Sequence, residues 1–200
     1  MKHIKSAIAA VVVLATFATG CSTTASTSTA ESGNAVTGSG TLSPQARREL
    51  DTGYRNTMAR LFETAHGSSE LVSKARGVLV FPRVISAGLV IGGQYGEGEL
   101  RVDGVVDGYY KTTTGSVGLQ AGAQTTSLVF VFMTQDALDR FRAGRGWAGG
   151  IDASVAVMKL GANANIDVNV ARAPTVAFVM TGSGLMANLS LEGTKVTRID

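Results

Sequence analysis

The chain has 200 residues, with 18 Lys and Arg against 15 Asp and Glu, two histidines and one cysteine. One thiol excludes an intrachain disulfide, and so thin a stock of His and Cys leaves no Cys/His metal site, Cys/His nucleophile or Ser/His/Asp triad that does not run through one of two histidines. A net charge of +3 gives no molecule-wide field for nucleic acid, so any basic site has to be local.

The first element is a short apolar run. Lys2 and Lys5 precede Ala7–Ala18, interrupted only by Thr16. That length suits the core of a signal peptide and falls short of the roughly 20 residues of a membrane-spanning helix. Ala18-Thr19-Gly20-Cys21 resembles the lipobox of bacterial lipoproteins, departing from it at Ala18, where leucine is usual. The resemblance implies that residues 1–20 are a removable signal peptide and that Cys21 is acylated as the first residue of the mature protein. Ser22 in place of aspartate points to the outer membrane of a bacterial cell envelope, facing the periplasm. Loss of residues 1–20 would remove Lys2, Lys5 and His3, leaving 16 basic against 15 acidic residues and His66 as the one histidine.

Residues 22–41 are almost all Ser, Thr, Gly and Ala, with Glu31 the one charge. Such a stretch buries too little surface to offset its chain entropy, and it reads as a flexible tether. Together with the lipidated Cys21 it makes a segment 21–41, ahead of a single folded domain at 42–200.

Ser43-Pro44 is a helix start, an N-cap followed by a proline suited to the first turn. Ala46, Leu50, Tyr54, Met58, Leu61, Phe62 and Ala65 then recur at spacings of three and four, the stripe of an amphipathic helix ending at Gly67. A shorter helix is expected over Ser69–Ala75. From Gly77 the texture changes: 19 of the 25 glycines lie in 77–200, among β-branched and alternating runs. Strands are expected at Val78–Phe81, Ala87–Gln94, Glu97–Val102, Val105–Lys111, Ser116–Ala123 and Ser127–Met133. A short helix capped by Thr134 and ended at Gly144 comes next. Strands resume at Ala153–Leu160, Ala162–Val170, Thr175–Met180 and Gly184–Leu191, with a short one near Val196–Ile199. Turn signals fall at Asp103-Gly104, Asp107-Gly108, Thr114-Gly115, Gly149-Gly150 and Gly182–Gly184. The fold class is α+β: a glycine-rich antiparallel β barrel or sandwich with an N-terminal amphipathic helix and one short helix between strands.

Several stretches carry a family resemblance. Lys74-Ala-Arg-Gly-Val-Leu-Val-Phe-Pro82, Ala87-Gly88 and Gly92-Gly-Gln-Tyr-Gly-Glu-Gly98 resemble the opening of the SYLF domain. Gly115–Gln124, Leu128–Thr134 and Ala137–Phe141 are similar to its middle, and Gly184–Gly193 to its close. Departures lie near Gly108-Tyr109-Tyr110-Lys111, which lacks an expected tryptophan, and at Met186 and Asn188. The resemblance covers roughly residues 45–195. It implies a lipid-binding module without catalysis or cofactor, with anionic phospholipid or the membrane surface as partner.

Two groups of cations are candidates for a phospholipid headgroup. Lys74, Arg76 and Arg83 lie close in sequence at the passage from helix to strand, and Arg140, Arg142 and Arg145, with Lys111, form the second group. Guanidinium and ammonium groups hold phosphate by charge-assisted hydrogen bonds. The competing reading of each group is solvated charge, or charge answering a helix dipole. Gly92–Gly98 precedes β-patterned residues rather than a helix, so it reads as a strand hairpin and not a phosphate loop. Glu97, Glu99, Asp103 and Asp107 do not have EF-hand spacing and read as hairpin surface charge. Trp147 reads as a packing anchor. The functional expectation is an envelope lipoprotein that binds phospholipid. The alternative is a scaffold whose partner is another envelope protein and whose lipid anchor only localises it.

Overall fold

The structure is a computed structural model that describes residues 41–88, 91–117, 122–147, 155–158, 172–181, 184–185, 191 and 193–199. The signal segment, Cys21 and the Ser/Thr/Gly tether lie outside the described residues, as does the strand expected at 162–170.

Helix α1 spans Pro44–Thr64. Ser43 Oγ accepts a hydrogen bond from the Ala46 amide at 3.1 Å, satisfying one of the donors left free in the first turn. The helix ends before Gly67, because Ala65 turns extended and is fully buried. The Ser68 hydroxyl then donates at 3.2 Å to the Leu61 carbonyl, which also accepts the Ala65 amide at 2.9 Å. Gly67 takes a positive φ of 87° and caps α2, Ser68–Ser73.

Among the described residues nine strands form one sheet: β1 Gly77–Gly88, β2 Ile91–Val102, β3 Val105–Val117, β4 Gly122–Phe132, β5 Gly146–Trp147, β6 Val155–Val157, β7 Thr175–Thr181, β8 Gly184–Leu185 and β9 Thr194–Arg198. Their order is β5-β9-β3-β2-β1-β4-β7-β6, with β8 paired to β7. All pairings are antiparallel except β6 with β7, which is parallel. Helix α3, Gln135–Ala143, follows β4, and Thr134 Oγ accepts from the Ala137 amide at 3.3 Å.

The first four strands are fewer and longer than their sequence suggests. Thr114-Gly115 and Tyr95-Gly96 lie inside strands, and the expected strand Ala87–Gln94 straddles the end of β1 and the start of β2. Asp107-Gly108 is a bulge and not a turn: the register slips from Leu100 opposite Gly108 to Arg101 opposite Val106. Glycine fits there because the Arg198 guanidinium lies on it, and an added Cβ would come 2.9 Å from Cζ. Asp103 and Gly104 do make a tight hairpin, both with positive φ.

The sheet is covered on both faces, which is why Leu79–Phe81, Leu128–Phe132 and Val176–Val179 are buried without alternation. On one face Met58 and Leu61 of α1, Ala65 just past its end and Leu71 of α2 pack on Val78, Val80, Val129, Val131, Val176 and Phe178. Phe62, one residue on from Leu61 and so rotated by about 100°, stays exposed. On the other face Leu138 and Phe141 of α3 join Leu79, Phe81, Leu100, Tyr110, Phe130 and Phe132. Trp147 stacks on Phe132 and lies 4.6 Å from Phe141, a packing anchor in this core.

Candidate functional site

The candidate cations fall into two classes, those held by a carboxylate and those that are not. Lys74 pairs with Glu70 at 2.6 Å, one turn back on α2, and that bond holds the Glu70 carboxyl below its ordinary range. Arg140 pairs with Asp136 at 2.8 Å and Arg142 with Asp107 at 2.6 Å. Arg145, past the end of α3, takes a positive φ of 53° and is exposed. Arg83, Lys111 and Lys195 make no ion pair among the described residues.

Strand register brings these three together. In an antiparallel pair, residues directly opposite one another share a face, as do residues two apart on one strand. Arg83 on β1 faces Glu97 on β2, which faces Lys111 on β3, which faces Thr197 on β9. The next row on the same face is Thr125, Ile85, Tyr95, Thr113 and Lys195. Two strand spacings separate Arg83 from Lys111, about 10 Å between backbones. Val84, Tyr110 and Val196 point into the core beneath α3, so their neighbours Arg83, Lys111 and Lys195 point to the opposite face, the one that α1 covers further along. Helix α1 crosses that face against Pro82: a Cβ added at Gly53 would lie 2.7 Å from the Pro82 Cβ. Past that crossing Ile85 and Tyr95 are 47% and 42% exposed. The Tyr95 hydroxyl donates to Glu97 Oε1 at 2.7 Å. Burial first, then that bond to a carboxylate, pushes the Tyr95 hydroxyl up to about 12.

The sequence-based grouping is thus redrawn. Lys74, at the end of α2, and Arg76 stay ahead of β1, and the strand from Gly77 carries Arg83 away from them. Lys111 lies on the α1 face of the sheet, whereas Arg140 and Arg142 sit on α3, which packs on the other face. One cation from each group, Arg83 and Lys111, becomes a neighbour across Glu97. Lys195, Ile85 and Tyr95 carried no signal of their own in the sequence, because only the register of four strands places them together.

A second cluster lies beneath α1. Arg101 bridges Asp51 of α1, at 2.5 Å, and Glu99, at 2.6 Å, and its guanidinium stacks 4.0 Å over the Tyr54 ring. Glu99 has no exposed surface and its Oε2 has no partner among the described residues. Burial raises its carboxyl above the ordinary range against the opposing pull of Arg101. Burial likewise raises Tyr54 to about 12. The sequence reading of Glu99 as hairpin surface charge is corrected here, since α1 lies over it. Asp107 is held likewise, by Arg142 and by the Arg198 contact to its carbonyl at 3.1 Å. This cluster fastens the helix to β2, and it opens no surface to a ligand.

Residues 113–200 match the family model Ysc84, described as Las17-binding protein actin regulator, the SYLF family. These are 88 of the 200 residues, and over them the chain is similar to the SYLF family. The matched segment runs from the second half of β3 through β4, α3 and β7 to β9, so it contains Thr113 and Lys195 of the exposed face. Arg83, Ile85, Tyr95, Glu97 and Lys111 lie ahead of it. No curated protein matches the chain.

Proposed function

We propose that this chain is a non-catalytic lipoprotein of a bacterial cell envelope whose SYLF-type body binds anionic phospholipid through the β1–β3–β9 face. The observation that carries the reading is the set of three cations, Arg83, Lys111 and Lys195, that share a face with exposed Ile85 and Tyr95 and make no ion pair among the described residues. A tyrosine and an aliphatic side chain suit the interfacial zone of a bilayer, with cations beside them reaching phosphate. A few such charges bind weakly alone, at about 1 kcal/mol each. An acylated Cys21, inferred from the lipobox-like sequence, would hold the body near the bilayer and make weak contacts effective. Outer-membrane anchoring facing the periplasm, and closure of the sheet as a barrel or sandwich, belong to the same proposal.

Cys21→Ser should abolish acylation and detergent-phase partitioning, whereas a normally acylated product from that variant would contradict the anchor. The unacylated chain should prefer vesicles containing phosphatidylglycerol over neutral phosphatidylcholine vesicles, and the preference should shrink as salt rises. Equal binding to both would favour the scaffold reading, to which the family description as a Las17-binding protein lends its own weight.

A further inference from the structure

Glu97 stands between Arg83 and Lys111 in register, yet it pairs with neither and accepts a hydrogen bond from Tyr95 instead. Adjacent opposite charges on one face of a sheet ordinarily attract, so their separation here needs a cause. The Tyr95 hydroxyl, two residues back on the same strand and the same face, supplies it at 2.7 Å. Resting on the phospholipid reading above, we propose that Tyr95 is a positioning residue: its hydroxyl holds the Glu97 carboxylate off Arg83 and Lys111, leaving both cations open to a lipid phosphate. Glu97 released from Tyr95 would swing to one of its neighbours, neutralise it and repel an approaching phosphate. The pair therefore sets how anionic a surface must be before the face engages it.

The proposal separates the hydroxyl from the ring. Tyr95→Phe keeps the aromatic surface and makes it more apolar, so a ring that acted only by insertion would bind membranes as well or better after the change. Release of Glu97 predicts the opposite. Glu97→Gln removes the competing charge and should strengthen binding to anionic vesicles about five-fold, the equivalent of one charge near a membrane. In the Glu97→Gln background the Tyr95 hydroxyl has no carboxylate to hold, so adding Tyr95→Phe should change little.

The experiment uses the full chain carrying Cys21→Ser, and compares flotation with phosphatidylcholine vesicles and with vesicles of phosphatidylcholine and phosphatidylglycerol. The neutral vesicles subtract whatever the apolar segment at residues 7–18 contributes. Asp139→Gln, an equal charge change on α3, serves as the control for net charge, and thermal unfolding checks each variant. The expected result is a three- to five-fold weaker anionic preference for Tyr95→Phe, full rescue by Glu97→Gln, and no comparable gain from Asp139→Gln. An anionic preference that Tyr95→Phe leaves intact or raises overturns this proposal alone. A parent chain with no anionic preference overturns the phospholipid reading and this proposal together.

Discussion

Glu99 shows at the residue scale how burial turns a surface-type side chain into a structural one. Its carboxyl has no exposed surface and is held by Arg101 through one oxygen, while burial favours the protonated form over the charged one. A carboxyl whose folded-state value is raised contributes stability that is fully present below its ordinary value of 4.5 and is lost as pH rises through the raised value. Glu99→Gln should therefore gain stability relative to the parent chain as pH rises through that window. Denaturant unfolding of both proteins across pH checks this, and a constant difference at all pH values would contradict it. Nothing in the local sequence Glu97-Gly98-Glu99 distinguishes the two acids. Glu99 lies where α1 covers the sheet and Glu97 where it does not, a difference set by a helix some fifty residues earlier in the chain.

At the scale of elements, local chemistry was legible and long-range pairing was not. Ser43 and Thr134 cap α1 and α3 where the sequence puts them, since an N-cap is decided within four residues. The apolar runs 78–81 and 128–132 read as strands because burial on both faces leaves them without polar positions. Strand lengths were lost where glycine and threonine punctuate a continuous strand, as at Thr112–Gly115 and Tyr95–Gly98. At Gly96 and Gly98 the glycines serve close approach and not turning. A Cβ at Gly98 would meet the Val80 carbonyl and the Phe81 ring, and one at Gly96 would meet Arg83 and Val84. The same reasoning applies to the seat of α1 on β1, where Gly53 touches Pro82 with no room for a side chain. Gly53→Leu should cost about 1–3 kcal/mol as overpacking at that seam. Hydrogen exchange should show α1 losing protection while α3 keeps its own, and equal loss in both helices would mean that the seam is not where α1 is set.

On the scale of the whole molecule, the charges divide by what each cation already holds. Lys74 and Arg140 are tied within one helical turn, and Arg101 and Arg142 tie elements together, so binding an external anion would first break those pairs. Arg83, Lys111 and Lys195 have nothing comparable to break among the described residues. They surround an exposed Tyr and Ile on the stretch of sheet that α1 leaves open. Two of these three cations were named from the sequence as candidates, but in separate groups, because sequence proximity stood in for a register that joins residues 83, 97, 111 and 197.

The most direct measurement of this account compares two equal charge changes in the unacylated full chain on phosphatidylglycerol-containing vesicles. Neutralising Arg83, Lys111 and Lys195 to Gln removes about 3 kcal/mol of attraction, on the order of a hundred-fold in affinity, with thermal unfolding nearly unchanged. Neutralising Lys74, Arg140 and Arg142 to Gln, each already held by a carboxylate, should leave most of the binding in place. If the second variant loses as much binding as the first, or the first loses none, the β1–β3–β9 face is not the surface that meets the lipid.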